Sequence, residues 1–167
     1  MKKMLIAYYT YSHGNTAWVA ERLQEATGAD LVQIETVEPY PDEYNDTVDQ
    51  AKREIETGYL PAIEAVRANP DDYDVVAIGT PTWWYTMAPA VRAFIEQHAW
   101  TGKTVIPFAT DAGWMGTVLD DIADACAGAE AAAPFEVRFD TGGGDTLVTG
   151  EHEVDAWCGA VSRLLQA

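Results

Sequence analysis

Short apolar runs alternate with longer amphipathic stretches along the chain, and this alternation constrains the fold more than any other feature. The runs 4–9 and 73–79 are apolar at nearly every position, as expected for strands at the centre of a parallel sheet that is covered on both faces. The stretches between such runs repeat apolar residues at helical spacing. Because 167 residues can bury a sizeable core, we expect one α/β domain over 1–167.

The boundaries of the elements follow from periodicity, capping residues, glycine and proline. The predicted strands are 4–9, 30–35, 73–79, 103–109 and 135–139, and the predicted helices are 16–27, 45–57, 89–98, 117–126 and 151–165. The mixed pattern of the second strand is typical of a sheet edge. We expect the acidic segment 37–57 to form a loop and a helix on the surface, and 141–145 to form a flexible loop.

Acidic residues greatly outnumber basic ones. Ten Lys and Arg stand against 27 Asp and Glu, which gives a formal net charge of −17. Such a chain is repelled by nucleic acids and by anionic membrane surfaces, whereas basic protein surfaces attract it. The alternative to docking on basic partners is that the acidic side chains serve only to keep the protein soluble. No apolar run approaches the ~20 residues that span a bilayer, and we expect a cytoplasmic protein whose amino-terminal run is its first strand.

Cysteine and histidine are sparse. Cys126 and Cys158 are far apart and belong to no C-x-x-C pair, and the three histidines are scattered. We therefore expect neither a disulfide framework nor a metal site.

Three segments of unusual composition follow the first, third and fourth predicted strands. They are 10–16, 81–87 and 110–116, and none contains Lys or Arg. In an open parallel sheet, ligands bind beyond the carboxyl ends of the strands, where the strand order reverses. The three segments are therefore the candidate binding loops.

The first loop has the composition of a phosphate-binding turn. Thr10, Ser12, Asn15 and Thr16 supply donors, and Gly14 permits close approach of the backbone. A helix begins at once, and its free N–H groups and partial positive charge favour an anion. The same residues could simply cap the helix. The loop matches neither the ATP-binding motif G-x-x-x-x-G-K-[ST] nor the dinucleotide-binding motif G-x-G-x-x-G.

The second and third loops carry Trp83, Trp84 and Trp114. Indoles in loops are costly to expose unless they line a pocket or an interface, and a planar aromatic ligand would stack on them. The alternative to a ligand site is that the indoles pack against one another as a hydrophobic cluster of the loops. A phosphate-binding turn beside an aromatic platform describes a flavin mononucleotide (FMN) site.

The motifs 10–16, 38–44, 81–87 and 112–116 resemble those of the flavodoxin family, in the correct order and over essentially the whole chain. The resemblance implies a three-layer α/β/α sandwich whose five-stranded parallel sheet has the order 2-1-3-4-5. It also implies FMN as cofactor. The implied cofactor-binding residues are Thr10, Tyr11, Ser12, His13, Gly14, Asn15, Thr16, Pro81, Thr82, Trp83, Trp84, Tyr85, Thr110, Asp111, Ala112, Gly113 and Trp114.

Tyr85 departs from the pattern of this branch, which often has glycine after the Trp pair. A glycine there lets the adjacent peptide flip when the flavin is reduced. A side chain disfavours positive φ, so we expect Tyr85 to raise the cost of the flip.

Charge favours an electron carrier over a reductase. Two-electron reduction of FMN places negative charge near N1, and a like charge ~8 Å away costs about 2 kcal/mol at an effective dielectric of about 20. Loops without basic residues would therefore make bound FMN a strong reductant that docks on basic surfaces of partner proteins. The alternatives are an FMN-dependent NAD(P)H:quinone or nitro oxidoreductase, and a non-enzymatic interaction module with a degenerate pocket.

Overall fold

A parallel β-sheet forms the centre of the computed structural model, which describes residues 1–141 and 144–167. The strands are β1 (Met4–Tyr8), β2 (Asp30–Gln33), β3 (Val75–Trp83), β4 (Thr86–Met87), β5 (Thr104–Asp111), β6 (Glu130–Ala131) and β7 (Phe135–Arg138). The helices are α1 (Asn15–Thr27), α2 (Tyr44–Thr57), α3 (Pro89–Glu96), α4 (Val118–Ala125) and α5 (Glu151–Gln166). Positions 142–143 of the predicted loop 141–145 lie outside the described residues.

The order of the sheet is β2-β1-β3-β5, with β6 and β7 both paired to β5 at the far edge. These pairings are parallel, whereas β4 returns antiparallel to β3. The predicted order 2-1-3-4-5 is confirmed if β6 and β7 are counted as one position. The part of the chain that the structure describes has seven strands instead of five, because that edge position is divided and because β3 continues into a hairpin with β4.

Two hydrophobic clusters lie on opposite faces of the sheet, since successive side chains of a strand point to opposite sides. Leu5 and Ala7 of β1 belong to the cluster that includes the buried residues of α3 and α4. Met4 and Ile6 belong to the cluster that includes those of α1 and α5. Helices therefore cover both faces, and the predicted three-layer architecture is confirmed.

The segment 37–57 is buried more deeply than predicted. Tyr40, Thr47, Ala51 and Glu54 are all buried. The Tyr40 hydroxyl donates to Glu54 Oε1 at 2.6 Å, and Gln50 Nε2 donates to Glu54 Oε2 at 2.9 Å. Burial, followed by the hydrogen bond to Glu54, raises the pKa of Tyr40. α2 lies at the surface as predicted, with most of its charged residues exposed, but it also has a packed face that its polar composition conceals.

The two cysteines are buried as free thiols, one in each hydrophobic cluster, so the sheet separates them. Burial raises the pKa of Cys126 to about 12 and that of Cys158 to about 11. In the part of the chain that the structure describes, no three His, Cys, Asp or Glu side chains converge as metal ligands. No helix among the described residues is both long and apolar enough to cross a membrane.

Candidate functional site

A cavity of about 450 Å³ opens at the carboxyl ends of β1, β3 and β5, where strand order reverses and an α/β fold of this type binds ligands. Its volume is in the range of small-molecule and cofactor sites. The predicted site residues that line it are Tyr11, Ser12, His13, Asn15, Thr16, Pro81, Thr82, Trp83, Trp84, Tyr85, Thr110, Asp111, Ala112 and Trp114.

Thr10, Gly14 and Gly113 are the predicted site residues that do not line the cavity. Instead, they shape the loops that do. Thr10 Oγ1 accepts a hydrogen bond from the Ala17 amide, in the first turn of α1, at 3.3 Å. Gly14 and Gly113 have φ of 75° and 114°, values that a side chain would disfavour.

The turn before α1 presents free backbone donors. Ser12 and Gly14 both have positive φ, at 60° and 75°, a conformation that turns successive amides towards one concave side. Among the described residues, no acceptor contacts the N–H groups of Asn15 and Thr16, whereas Trp18 N–H already donates to Gly14 O at 3.0 Å. Free amides at the amino end of a helix are suited to bind an anion.

Two side chains of this turn fix it to neighbouring segments. Asn15 Nδ2 donates to Gly144 O at 3.0 Å. The hydroxyls of Thr16 and Thr110 are hydrogen-bonded at 2.8 Å and buried. The first and third loops are therefore joined directly at the base of the cavity.

The second loop is a tight hairpin turn. Thr82 pairs with Met87, and Trp83 pairs with Thr86, which leaves Trp84 and Tyr85 as the two turn residues. Both have positive φ, at 50° and 67°, as in the type I′ turn that suits the twist of β-hairpins.

The backbone at Tyr85 is already in the conformation that a side chain was expected to disfavour. Its carbonyl accepts the Thr117 amide at 3.0 Å. Tyr85 O is therefore held by the residue that precedes α4, and this hydrogen bond resists reorientation of the peptide.

The indoles at positions 83 and 84 have different environments. Trp83 packs edge-on against Tyr9, Tyr11 and Tyr40, with ring centroids at 5.7, 5.4 and 5.0 Å. This cage fixes its orientation at the cavity wall. Trp84 is 42% exposed at the rim, and its Nε1 donates to Val48 O of α2 at 2.9 Å.

The rim is aromatic and mostly exposed. Tyr85 is 57% exposed and Trp114 is 60% exposed. Lys52 Nζ lies 5.4 Å from the centroid of the Trp84 ring, within the range of a cation–π contact. An exposed rim of this kind can stack against the face of a planar ligand.

Two segments that sequence reasoning missed complete the cavity. One is the inner face of α2, and the other follows β7. Tyr11 ties α2 to the site, because its hydroxyl lies 3.0 Å from Thr47 Oγ1 and donates to Pro41 O at 3.1 Å. Among the residues concerned, only Tyr44 belongs to a motif that carried the resemblance. The missed residues are Tyr44, Thr47, Val48, Ala51, Phe139, Asp140 and Gly144.

Asp111 gives the cavity a titratable carboxyl group. Its Oδ1 accepts the Gly113 amide at 2.6 Å. Burial raises the pKa of Asp111 to about 6; the Gly113 hydrogen bond and Arg138 act in the opposite direction, and Glu136 adds to the increase.

Thr82 Oγ1 and Asp111 Oδ2 are the buried side-chain polar atoms, in the part of the chain described, that lack a hydrogen-bond partner. Both residues line the cavity. Buried polar atoms rarely remain without a partner, so this wall is suited to a ligand with polar groups.

The sheet order and the position of the cavity define a flavodoxin-like α/β protein, and the comparisons with known proteins agree. A family model described as flavodoxin matches residues 3–134. This chain belongs to the flavodoxin family. No curated protein matches the sequence.

Solved structures of similar proteins extend over nearly the whole chain. A candidate flavoprotein from Bacteroides eggerthii is 30% identical, with a TM-score of 0.77 over 97% of this chain and 99% of its own. A flavoprotein from Lactobacillus acidophilus in complex with FMN is 24% identical, with a TM-score of 0.71 over 94% and 99% of the two chains. A flavodoxin from the domain Archaea shares the fold at 15% identity, with a TM-score of 0.60 over 98% and 99%.

Proposed function

We propose that this protein binds FMN in the cavity and transfers electrons between protein partners. The observation that supports this most strongly is the combination at one sheet edge of free helix amides, an aromatic rim and two buried polar atoms without partners. Membership of the flavodoxin family and the FMN complex of the Lactobacillus acidophilus protein support the choice of cofactor. FMN, when bound, supplies one- and two-electron chemistry.

The turn before α1 would hold the phosphate. No acceptor among the described residues contacts the amides of Asn15 and Thr16, and Ser12 also lines the cavity. No Lys or Arg occurs among the described residues that line the cavity. Backbone donors and the dipole of α1 would therefore bind the anion without a cationic side chain.

Aromatic residues would hold the ring. Trp84, Tyr85 and Trp114 form the exposed rim, while Trp83 is fixed in its tyrosine cage. Thr82 and Asp111 present their polar groups to the same space. These residues would orient the flavin and limit its contact with water.

Electrostatics favours a carrier of low potential. The cavity wall includes two carboxyl groups, Asp111 and Asp140, in a chain whose net charge is −17. Electrons added to the flavin would increase its negative charge, which these carboxylates oppose. The same acidity suits docking on a basic reductase surface, with association that weakens as salt rises.

Reduction by NADPH under argon separates the carrier from the alternative oxidoreductase. We expect the visible bands of the FMN-loaded protein to persist for minutes with NADPH alone and to bleach once a flavodoxin reductase is added. Increasing salt from 50 to 500 mM should slow this bleaching. Rapid bleaching by NADPH alone would establish an NADPH-dependent oxidoreductase instead.

Trp84→Ala should weaken FMN binding by about 1–3 kcal/mol, the range measured for stacking on nucleobases. Because Trp84 would stack on the ring, which riboflavin and FMN share, riboflavin should lose as much affinity as FMN, as measured by quenching of flavin fluorescence. Trp84→Phe keeps a stacking ring but removes the hydrogen bond to Val48 O, and we expect it to retain most of the affinity. Trp100→Phe, an indole buried away from the cavity, is the matched control. Unchanged binding by Trp84→Ala would exclude this indole as a platform.

A further inference from the structure

The buried side of α2 is small and polar. Its buried residues are Thr47, Ala51 and Glu54, whereas the buried residues of the shorter α3 include Phe94 and Ile95. Among the described residues, no member of either hydrophobic cluster comes from α2. Because hydrophobic stabilisation rises with the apolar area that an element buries, α2 receives less of it than its neighbour α3.

The chain that carries α2 is anchored at both ends. Tyr40 and Ile63 pack on the hydrophobic cluster that includes α3, and Ile63 also forms a bridge with Thr36. After Gly58 ends the helix, residues 58–60 are exposed. The α2 segment (residues 41–62) is therefore fixed at its ends and, in the chain as described, contributes no residue to either hydrophobic cluster.

Hydrogen bonds join α2 to aromatic side chains at or beside the cavity. They are Tyr40 Oη to Glu54 Oε1 at 2.6 Å, Tyr11 Oη to Thr47 Oγ1 at 3.0 Å and Trp84 Nε1 to Val48 O at 2.9 Å. When a surface element moves away from the protein, bonds of this kind are exchanged for bonds to water, so the net cost of breaking each one is small. Polar contacts of low net cost therefore hold α2 in place.

α2 is also a wall of the cavity, which Tyr44, Thr47, Val48 and Ala51 line. A movement of the α2 segment would widen the cavity without separating any strands of the sheet or opening either hydrophobic cluster. Elements that move at ligand sites are drawn from the least stable parts of a fold. Of the walls of the cavity, α2 is therefore the one whose movement costs least.

We propose that the α2 segment is a gate, which moves away to admit the phosphate-bearing flavin and closes over it, and which the hydrogen bonds of Tyr11, Tyr40 and Trp84 hold closed. The inference rests on the proposed function for the identity of the ligand. Entry into the free protein and exit from the loaded protein both require the gate to open. A weaker closed state should therefore raise the association and dissociation rates by the same factor and leave the dissociation constant unchanged.

Hydrogen exchange of the flavin-free protein tests the opening directly. An isolated helix of 14 residues is barely stable in water, so the amides of α2 should exchange when the segment leaves the sheet. We expect them to exchange about tenfold faster, or more, than those of α5, which buries Trp157 and Val161. Protection of α2 equal to that of α5 would overturn the inference.

Tyr40→Phe weakens the closed gate and keeps a ring against Trp83. Tyr40 lies outside the cavity lining, so the ligand loses no contact. The net contribution of one hydrogen bond corresponds to a factor of about 3 to 10. We expect both rates of FMN binding, measured by stopped-flow quenching of flavin fluorescence, to rise by this factor while the dissociation constant stays the same. Exchange of the α2 amides should rise by the same factor.

Tyr73→Phe is the matched control. The Tyr73 hydroxyl donates to Asp30 Oδ2, also at 2.6 Å, at the amino ends of β2 and β3 and away from the cavity. This variant should bind FMN at the wild-type rates. Glu54→Ala removes the acceptor of Tyr40 from the α2 side of the contact, and it should raise both rates in the same way if Tyr40→Phe fails to fold.

Faster dissociation with unchanged association in Tyr40→Phe and Glu54→Ala would overturn the inference, since the hydrogen bond would then stabilise the loaded protein alone. Equal increases in Tyr73→Phe would also overturn it, because they would reflect a general loosening of the fold. Failure of FMN to bind the wild type would instead overturn the proposed function, while exchange of the α2 amides would still test the opening.

Discussion

Replacing Asn15 by aspartate should weaken FMN binding by about 2–4 kcal/mol, or about 30- to 700-fold, and should change riboflavin binding much less. The substitution places a carboxylate where the phosphate is expected, and unit charges 4–8 Å apart repel by this amount at an effective dielectric of about 20. The variant also loses the hydrogen bond from Asn15 Nδ2 to Gly144 O. Fluorescence titration with the two flavins measures both affinities.

The stability of the ligand-free variant should change little or increase slightly, because an acid in the first turn of a helix contributes about 0.3–1 kcal/mol. Asn69→Asp is the matched control. Asn69 caps the 3₁₀ turn Pro70–Asp72 by accepting the Asp71 amide, which aspartate can also do, and it lies outside the cavity lining. Equal losses of FMN and riboflavin affinity in Asn15→Asp would place the phosphate elsewhere.

Gly116→Ala should lower the free energy of unfolding by about 2–5 kcal/mol. Gly116 has φ 59°, and a left-handed conformation costs a residue with a side chain about 1–2 kcal/mol. An added Cβ would also lie 2.5 Å from Tyr85 O and 2.8 Å from Tyr85 Cα, and it would overlap Tyr85 Cβ. Overpacking of this kind adds about 1–3 kcal/mol. Urea denaturation measures the difference.

Gly58→Ala separates the two costs. Gly58 ends α2 with φ 70°, but an added Cβ there would meet no atom within 4 Å. The free energy of unfolding of Gly58→Ala should therefore fall only by the cost of the left-handed conformation, about 1–2 kcal/mol. Gly116→Ala should in addition weaken flavin binding, because the hairpin turn that carries Trp84 would have to move. If Gly116→Ala loses no more stability than Gly58→Ala, the hairpin turn at Tyr85 can move away from the added methyl group at little energetic cost.

The parallel sheet was predictable because its strands are marked by local composition. The runs that became β1 and β3 are apolar at almost every position, and only strands buried on both faces require this. The ends of the strands were less well marked. β3 extends to Trp83 instead of ending at Gly79, because pairing with β4 and β5 supplies hydrogen bonds that no local pattern reveals.

The site was predictable where its residues follow strands directly. Ser12, Asn15 and Thr16, together with the indoles at 83, 84 and 114, were expected to meet at one edge, and the structure brings them to one cavity. The different roles of Trp83 and Trp84 were not predictable. Whether an indole is caged or exposed depends on Tyr9, Tyr11 and Tyr40, which lie elsewhere in the sequence.

Period and composition are local properties of a chain, and they determined the layers and the loops that bear the site, whereas the strand order followed only from the resemblance to a known family. The tertiary structure alone decided that α2 forms a wall of the cavity, that Tyr11 and Trp84 bind it there, and that Asp111 lies opposite Arg138 of β7. These contacts join residues about 25 to 40 positions apart. Their partners are selected by packing geometry, and packing geometry exists only once the chain has folded.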